Sequence, residues 1–292
     1  MKKQVHLKEK QVRVLKLFNE YNRLPTKLIA DLAEFTEMKR CQEVMKTLVD
    51  CDPPLVKRVA FNPLTAAVGK PTYVYMLAPK GARVLSRELG YPVTSPKSPW
   101  VSNLHLEHTL EVNRFRILLE KACKAHPGVR LVDCIPEYRG KAGDRRVPIR
   151  VTQETVKFKH KYAKPVTFIP DLVFVLDKDD KKALYFVEID LDSENPERLE
   201  GKIRAYDEYF DSKGFERYSH KYGYEFKGFR LLLVGSLKRF DSIIINLYGT
   251  NIDLGFVWMC EREELREETF FSNIWITGDR STVERLALVR TL

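Results

Sequence analysis

Residues 168–210, FIPDLVFVLDKDDKKALYFVEIDLDSENPERLEGKIRAYDEYF, constrain this chain more than any other stretch. Two apolar runs flank a charged turn at 177–182, the pattern of a hairpin, and a helical segment follows. Asp171 stands behind Pro170 at the mouth of the first run, while Glu188 and Asp190 stand near the end of the second. Side chains two apart on a strand share a face, so Glu188 and Asp190 are expected to point the same way. Folding the hairpin back brings Asp171 near Glu188. Carboxylates gathered at one end of a sheet repel one another unless a proton or a cation relieves them. Hard ions such as Mg²⁺ or Mn²⁺ take oxygens of this kind.

The closing helix opens at Pro196, a favoured first helical position. Leu199, Ile203, Tyr206 and Phe210 make its inward stripe. Lys202 falls on the same stripe. An ammonium there ordinarily snorkels to water; beside acids it can instead face a phosphate.

Charge is unevenly spread over the 292 residues. Residues 1–103 carry 18 Lys/Arg against 9 Asp/Glu, and residues 139–164 carry 9 against 2, so the segment from 165 onward is net acidic. Basic regions on either side of acids suit a protein that holds a polyanion and offers it a metal, although ordinary solvated surface charge explains the first segment equally well. Five cysteines, with no C-x-x-C pair and no zinc spacing, read as thiols of a reducing compartment. No apolar run reaches the length of a membrane span, and a soluble, intracellular protein is expected.

In chain order, helical spacing is expected over 8–22 and 25–35, then in a third helix to about Asp50, with Thr36 as cap and Cys41, Val44, Met45 and Leu48 facing inward. Its other face shows Lys39, Arg40 and Lys46. Strands at 55–61 and 72–77 carry Lys57 and Arg58, with Lys70 in the loop between them, and Pro79 opens a helix that stops at Gly90. Three helices, a hairpin and another helix are the pattern of a winged helix, whose third helix lies in a DNA major groove. Such modules also serve protein–protein contact.

Residues 91–103 are proline-rich and read as a linker. Asn103 is expected to cap a long helix whose stripe is His108, Glu111, Phe115, Leu118 and Ala122. His108 and Glu111 either join a site or simply bond each other near the helix start. A strand is expected at 129–135. Residues 139–164, with Arg145, Arg146, Arg150, Lys157 and Lys159, read as a basic β-arm along a phosphate backbone or as a surface hairpin. Beyond the opening stretch, strands are expected at 229–235, 252–260 and around Trp275, with a helix from Ser281 and a helix at 240–248, whose Ile243–Ile245 run also suits a strand.

Ile169-Pro170-Asp171 and Glu188-Ile189-Asp190, behind a helix bearing Glu111, resemble the PD-(D/E)xK nuclease fold. The fuller order is a basic winged helix, L-E-H-T-L-E-V-N-R-F, I-P-D-L, F-V-E-I-D, and L-x-x-K-I-x-x-Y from Leu199 to Tyr206. That order is similar to the replication-relaxation family of plasmids and other mobile elements. The resemblance implies an α/β (α+β) protein in three parts. Residues 1–90 would be a winged-helix DNA-binding domain and 91–103 a linker. Residues 104–292 would be a nuclease-like mixed sheet flanked by helices. It also implies a prokaryotic, cytoplasmic protein at the nucleoid or plasmid, with double-stranded DNA as partner, no membrane, and a homodimer left open.

Carried over residue by residue, Glu111, Asp171 and Glu188 would be the metal-binding acids. The nuclease pattern places a lysine where this chain has Asp190, and Lys202 would be its substitute. If live, the site would hydrolyse phosphodiesters with Mg²⁺ or Mn²⁺ lowering the pKa of a bound water and Lys202 stabilising charge on the phosphate. His108 would stand beside Glu111. The alternatives are a non-catalytic replication accessory that keeps the scaffold, and a transcriptional regulator that uses the winged helix alone.

Overall fold

The computed structural model describes residues 7–62, 72–96, 102–137, 153–156, 166–192, 195–279 and 284–289. It is an α/β protein whose described residues form two compact units, divided between Asn113 and Arg114. Among the described residues no helix is long and apolar enough to cross a membrane.

The first unit begins with α1 (Glu9–Tyr21), β1 (Arg23–Pro25), α2 (Thr26–Leu32) and α3 (Met38–Asp50), followed by β2 (Val56–Phe61), β3 (Thr72–Leu77) and α4 (Pro79–Leu89). Amphipathic spacing explains the helices: α1 buries Val14, Leu15, Leu17, Phe18 and Tyr21, and α3 buries Cys41, Met45 and Leu48. Val44 is only half-buried, and Thr36 is not the cap, because α3 starts after Glu37. Pro79 at the first turn and left-handed Gly90 bound α4. β2 and β3 form the expected hairpin, but β1 adds a third strand, in the order β1-β3-β2. Three residues offer too short a run to show alternation; pairing with β3 defines this strand.

The helix α5 (Asn103–Ala125) starts in this unit and continues into the next. Ser102, not Asn103, caps it, its Oγ accepting the His105 N–H at 3.2 Å. Buried Asn113 donates 2.8 Å bonds to the carbonyls of both Tyr21 and Arg23, satisfying two backbone acceptors at the α1–β1 corner. Further along, Phe115, Leu119 and Ala122 are buried, whereas Leu118, expected on the stripe, is half-buried.

The second unit continues with β4 (Val129–Pro136), β5 (Glu154–Val156), β6 (Val166–Phe168), β7 (Leu172–Lys178), β8 (Lys181–Ile189), α6 (Pro196–Asp211), α7 (Glu216–Tyr222), β9 (Arg230–Gly235), α8 (Leu237–Leu247), β10 (Val257–Glu261) and β11 (Ile276–Thr277). Six strands make a mixed sheet in the order β11-β10-β9-β8-β7-β4, with β8, β9 and β10 parallel and the other pairings antiparallel. The parallel connections carry α6 and α8, as parallel neighbours require. Both helices share one core with Val173, Val175, Leu184, Phe186, Leu231 and Leu233.

The expected strand over 252–260 begins only at Val257, because the Val257 N–H turns back to the Leu254 carbonyl at 3.1 Å. The described residues of the tail, 284–289, do not form the helix expected from Ser281. They pair Leu286 with Trp275 and offer the Leu288 carbonyl to the Tyr185 hydroxyl at 3.1 Å.

Candidate functional site

The hairpin of β7 and β8 decides where the acids go. Leu172 pairs with Val187, so Asp171 meets Glu188 at the next step, and the Asp171 N–H donates to the Val187 carbonyl at 3.1 Å. Val173, Val175, Leu184 and Phe186 face α6, and the two-residue period puts Asp171 and Glu188 on that same face. Asp171 and Glu188 are 7% and 3% exposed. The Asp171 Oδ2 accepts the Ile189 N–H at 2.7 Å, which binds the carboxylate across to the neighbouring strand.

Above them lies α6. Asn195 caps it, its side chain accepting the Glu197 N–H at 3.1 Å, and Pro196 opens it. Leu199, Ile203, Tyr206 and Tyr209 are buried. Beneath this stripe Phe186 meets Tyr206, Tyr209, Tyr218 and Phe229 edge-on, at centroid separations of 4.6 to 6.0 Å. Such contacts add to area burial and fix the rotation of the helix.

Lys202 and Tyr206, one turn apart, therefore both reach Glu188. The Lys202 Nζ donates to Oε2 at 2.9 Å and the Tyr206 hydroxyl to Oε1 at 2.7 Å. Burial pushes the Glu188 carboxyl up to about 7; Lys202 opposes the shift and Asp171 adds to it. Burial and the facing carboxylate hold the Tyr206 hydroxyl well above its ordinary range, so it stays a donor.

Asp190 answers to another helix. Its Oδ2 pairs with Arg239 of α8, and its Oδ1 accepts the Asp192 N–H at 3.0 Å. Burial raises its pKa, against Arg239. Two carboxylates from one strand end are thus held by cations from two helices.

His108 and Glu111 are half-buried on the part of α5 that belongs to the first unit. Lys39, Arg40, Lys46 and Arg58 are exposed and Lys57 half-exposed. Lys46 pairs with Asp50, and the Arg58 guanidinium lies 4.4 Å from the Tyr73 ring centroid. Lys70, Arg145, Arg146, Arg150, Lys157 and Lys159 lie outside the described residues.

Sequence reading missed three partners. Tyr206 was visible only as a packing residue, although its spacing from Lys202 was the available signal. Arg239 stands 49 residues from Asp190, and no local pattern links them. The third is Glu154 on β5, 3% exposed, bonded by the Tyr218 hydroxyl at 3.0 Å and paired with Arg217. Burial raises it to about 7.

Residues 15–223 match the family described as replication-relaxation. The chain belongs to the replication-relaxation family. The match runs from within α1 to just past α7, and so takes in α3, the acids and α6. No curated protein and no solved structure matches this replication-relaxation protein.

A metal at the acids has to fit the donors present. Both Glu188 oxygens and Asp171 Oδ2 already accept protein hydrogens. Among the described residues no group of three or more His, Cys, Asp or Glu stands so as to hold an ion. As folded, the pair does not fit a divalent ion, which needs several oxygen ligands.

Proposed function

We propose that this replication-relaxation protein binds double-stranded DNA in the replication or relaxation of a plasmid or mobile element. The first unit is read as a winged helix, with α3 as the recognition helix and the β2–β3 hairpin as the wing. One observation carries this reading. α3 buries Cys41, Met45 and Leu48 and leaves Lys39, Arg40, Gln42, Glu43 and Lys46 exposed on its solvent side. Lysine and arginine suit phosphates and guanine, and glutamine suits adenine.

The test is fluorescence anisotropy of a labelled duplex against the full chain over a salt series. Phosphate contacts release counterions, so log affinity falls linearly with log salt. A slope near zero overturns the reading.

A second reading, a phosphodiester-cleaving nuclease, is favoured by Asp171 and Glu188 facing one another with a lysine at hand. Supercoiled plasmid incubated with and without Mn²⁺ tests it: cleavage by the wild type that is lost in Asp171→Ala supports a nuclease. Cleavage that is absent, or unchanged in the variant, leaves the acids a polar scaffold.

A further inference from the structure

We propose that the second unit carries a nucleotide-binding cleft, at the opposite end of β8 from Glu188, which takes an unpaired base together with its phosphate. The inference rests neither on the acid pair nor on the reading of α3 as a duplex-binding helix.

The cleft has a volume of about 420 Å³, within the range of small-molecule sites, and lies where β8 and β9 begin. Part of its wall is aromatic: Phe210 at the end of α6, Tyr224 after α7 and Phe256 before β10. Phe210 stacks on Phe256 at a centroid separation of 5.6 Å and an interplanar angle of 21°. Gly228 makes room for this packing, since a Cβ there would lie 2.7 Å from Phe210 Cε2. Phe210 and Tyr224 are only half-buried, which leaves ring surface for an occupant.

The rest of the wall is charged, with Lys181, Lys182 and Lys227. Lys182 decides the reading. Its side chain is 23% exposed, yet its Nζ stands 3.8 Å from Asp177 Oδ2, beyond hydrogen-bond range. Arg130 already holds that carboxylate oxygen at 2.6 Å. The Lys182 ammonium lies 4.8 Å from the Tyr224 ring centroid and has no hydrogen-bonded acceptor among the described residues. A largely buried group with three donors and no acceptor is set for an anion from outside. Lys181 and Lys227 are exposed and make no ion pair among the described residues. The lysines outnumber the acids of the lining, Glu225 and Asp253, and Asp253 Oδ1 accepts the Gly255 N–H at 2.8 Å.

Rings alone would suit an apolar group, and lysines alone would suit any anion. A base carrying a phosphate answers both, by stacking and by charge.

Equilibrium dialysis of the full chain against dAMP, deoxyadenosine and inorganic phosphate tests the cleft. Half-saturation by dAMP is expected below about 1 mM, at least about tenfold tighter than by deoxyadenosine or phosphate. Tyr224→Leu removes a ring and Lys182→Met an ammonium, and each should weaken dAMP binding at least about tenfold. A labelled single strand of deoxyadenylate, followed by anisotropy on the Lys39→Glu/Arg40→Glu chain, separates the two sources of such a group. Binding of dAMP but not of the strand names a free nucleotide. A strand that binds tighter than dAMP, and is weakened by Tyr224→Leu and Lys182→Met, names unpaired DNA.

The proposal is overturned if neither ligand binds, if dAMP binds no tighter than phosphate, or if neither substitution changes the affinity. Circular dichroism reports whether the variants fold. Where one does not, Lys181→Ala/Lys227→Ala, at two exposed positions, replaces it with the same expected loss and the same overturning result. Failure of the duplex titration touches only the reading of α3.

Discussion

The Tyr206 hydroxyl donates to Glu188 Oε1 at 2.7 Å, one helical turn along α6 from the lysine that holds the other oxygen. Tyr206→Phe keeps the ring contacts with Phe168 and Phe186 and removes only the donor. A buried carboxylate losing a hydrogen bond costs about 1.5–3 kcal/mol. Denaturant unfolding with an unchanged slope should report that loss. An unaltered midpoint would mean that the hydroxyl contributes nothing net.

Two buried carboxyls, Glu188 and Glu154, are each raised to about 7 by burial. Between their unfolded values, near 4.5, and 7 the folded chain binds more protons than the unfolded chain. Their stabilising contribution is therefore full below about 4.5 and lost as pH rises to 7. Unfolding free energies measured across that window should decline towards neutrality from these two groups. Glu154→Gln combined with Glu188→Gln should flatten the decline.

Gly235 and Gly201 predict opposite outcomes for the same substitution. A Cβ on Gly235 would lie 2.8 Å from both the Asp190 carbonyl oxygen and Phe240 Cζ. Gly235→Ala should thus destabilise by about 1–3 kcal/mol through overpacking, disturbing Asp190 first. On α6, a Cβ at Gly201 meets nothing within 4 Å. Gly201→Ala should stabilise by about 0.5–1 kcal/mol, since alanine is the better helix former. Chemical denaturation of the two variants side by side checks both signs.

Phe186 touches four other rings within the sheet–α6–α7 core. Phe186→Ala should cost about 3–5 kcal/mol. It should also loosen α6, which calls for faster amide exchange around Lys202 and Tyr206 than in the wild type.

Two continuous apolar runs, the charged turn between them and an opening Pro196 made β7, β8 and α6 legible in the sequence. Their pairing in turn made the shared face of Asp171 and Glu188 legible. What stayed hidden depends on long-range partners. β1 exists because β3 pairs with it, and Asp190 turns to Arg239 only once α8 packs beside α6. α7 was missed because seven residues between aromatic clusters show little period. Alternating Ile252, Leu254 and Phe256 looked like strand, yet the backbone there turns before β10. Sequence could place Lys202 on the inward stripe, but not the atom it would meet.

The proposed function divides the labour: duplex DNA would lie along the exposed basic face of α3, while α6 closes the acid pair of the second unit. The most direct measurement is duplex affinity by anisotropy, compared among the wild type, the double variant Lys39→Glu/Arg40→Glu, and Asp171→Asn. The account predicts binding weakened by at least about tenfold in the double variant and unchanged in Asp171→Asn. Binding retained in the double variant but lost with Asp171 would contradict it.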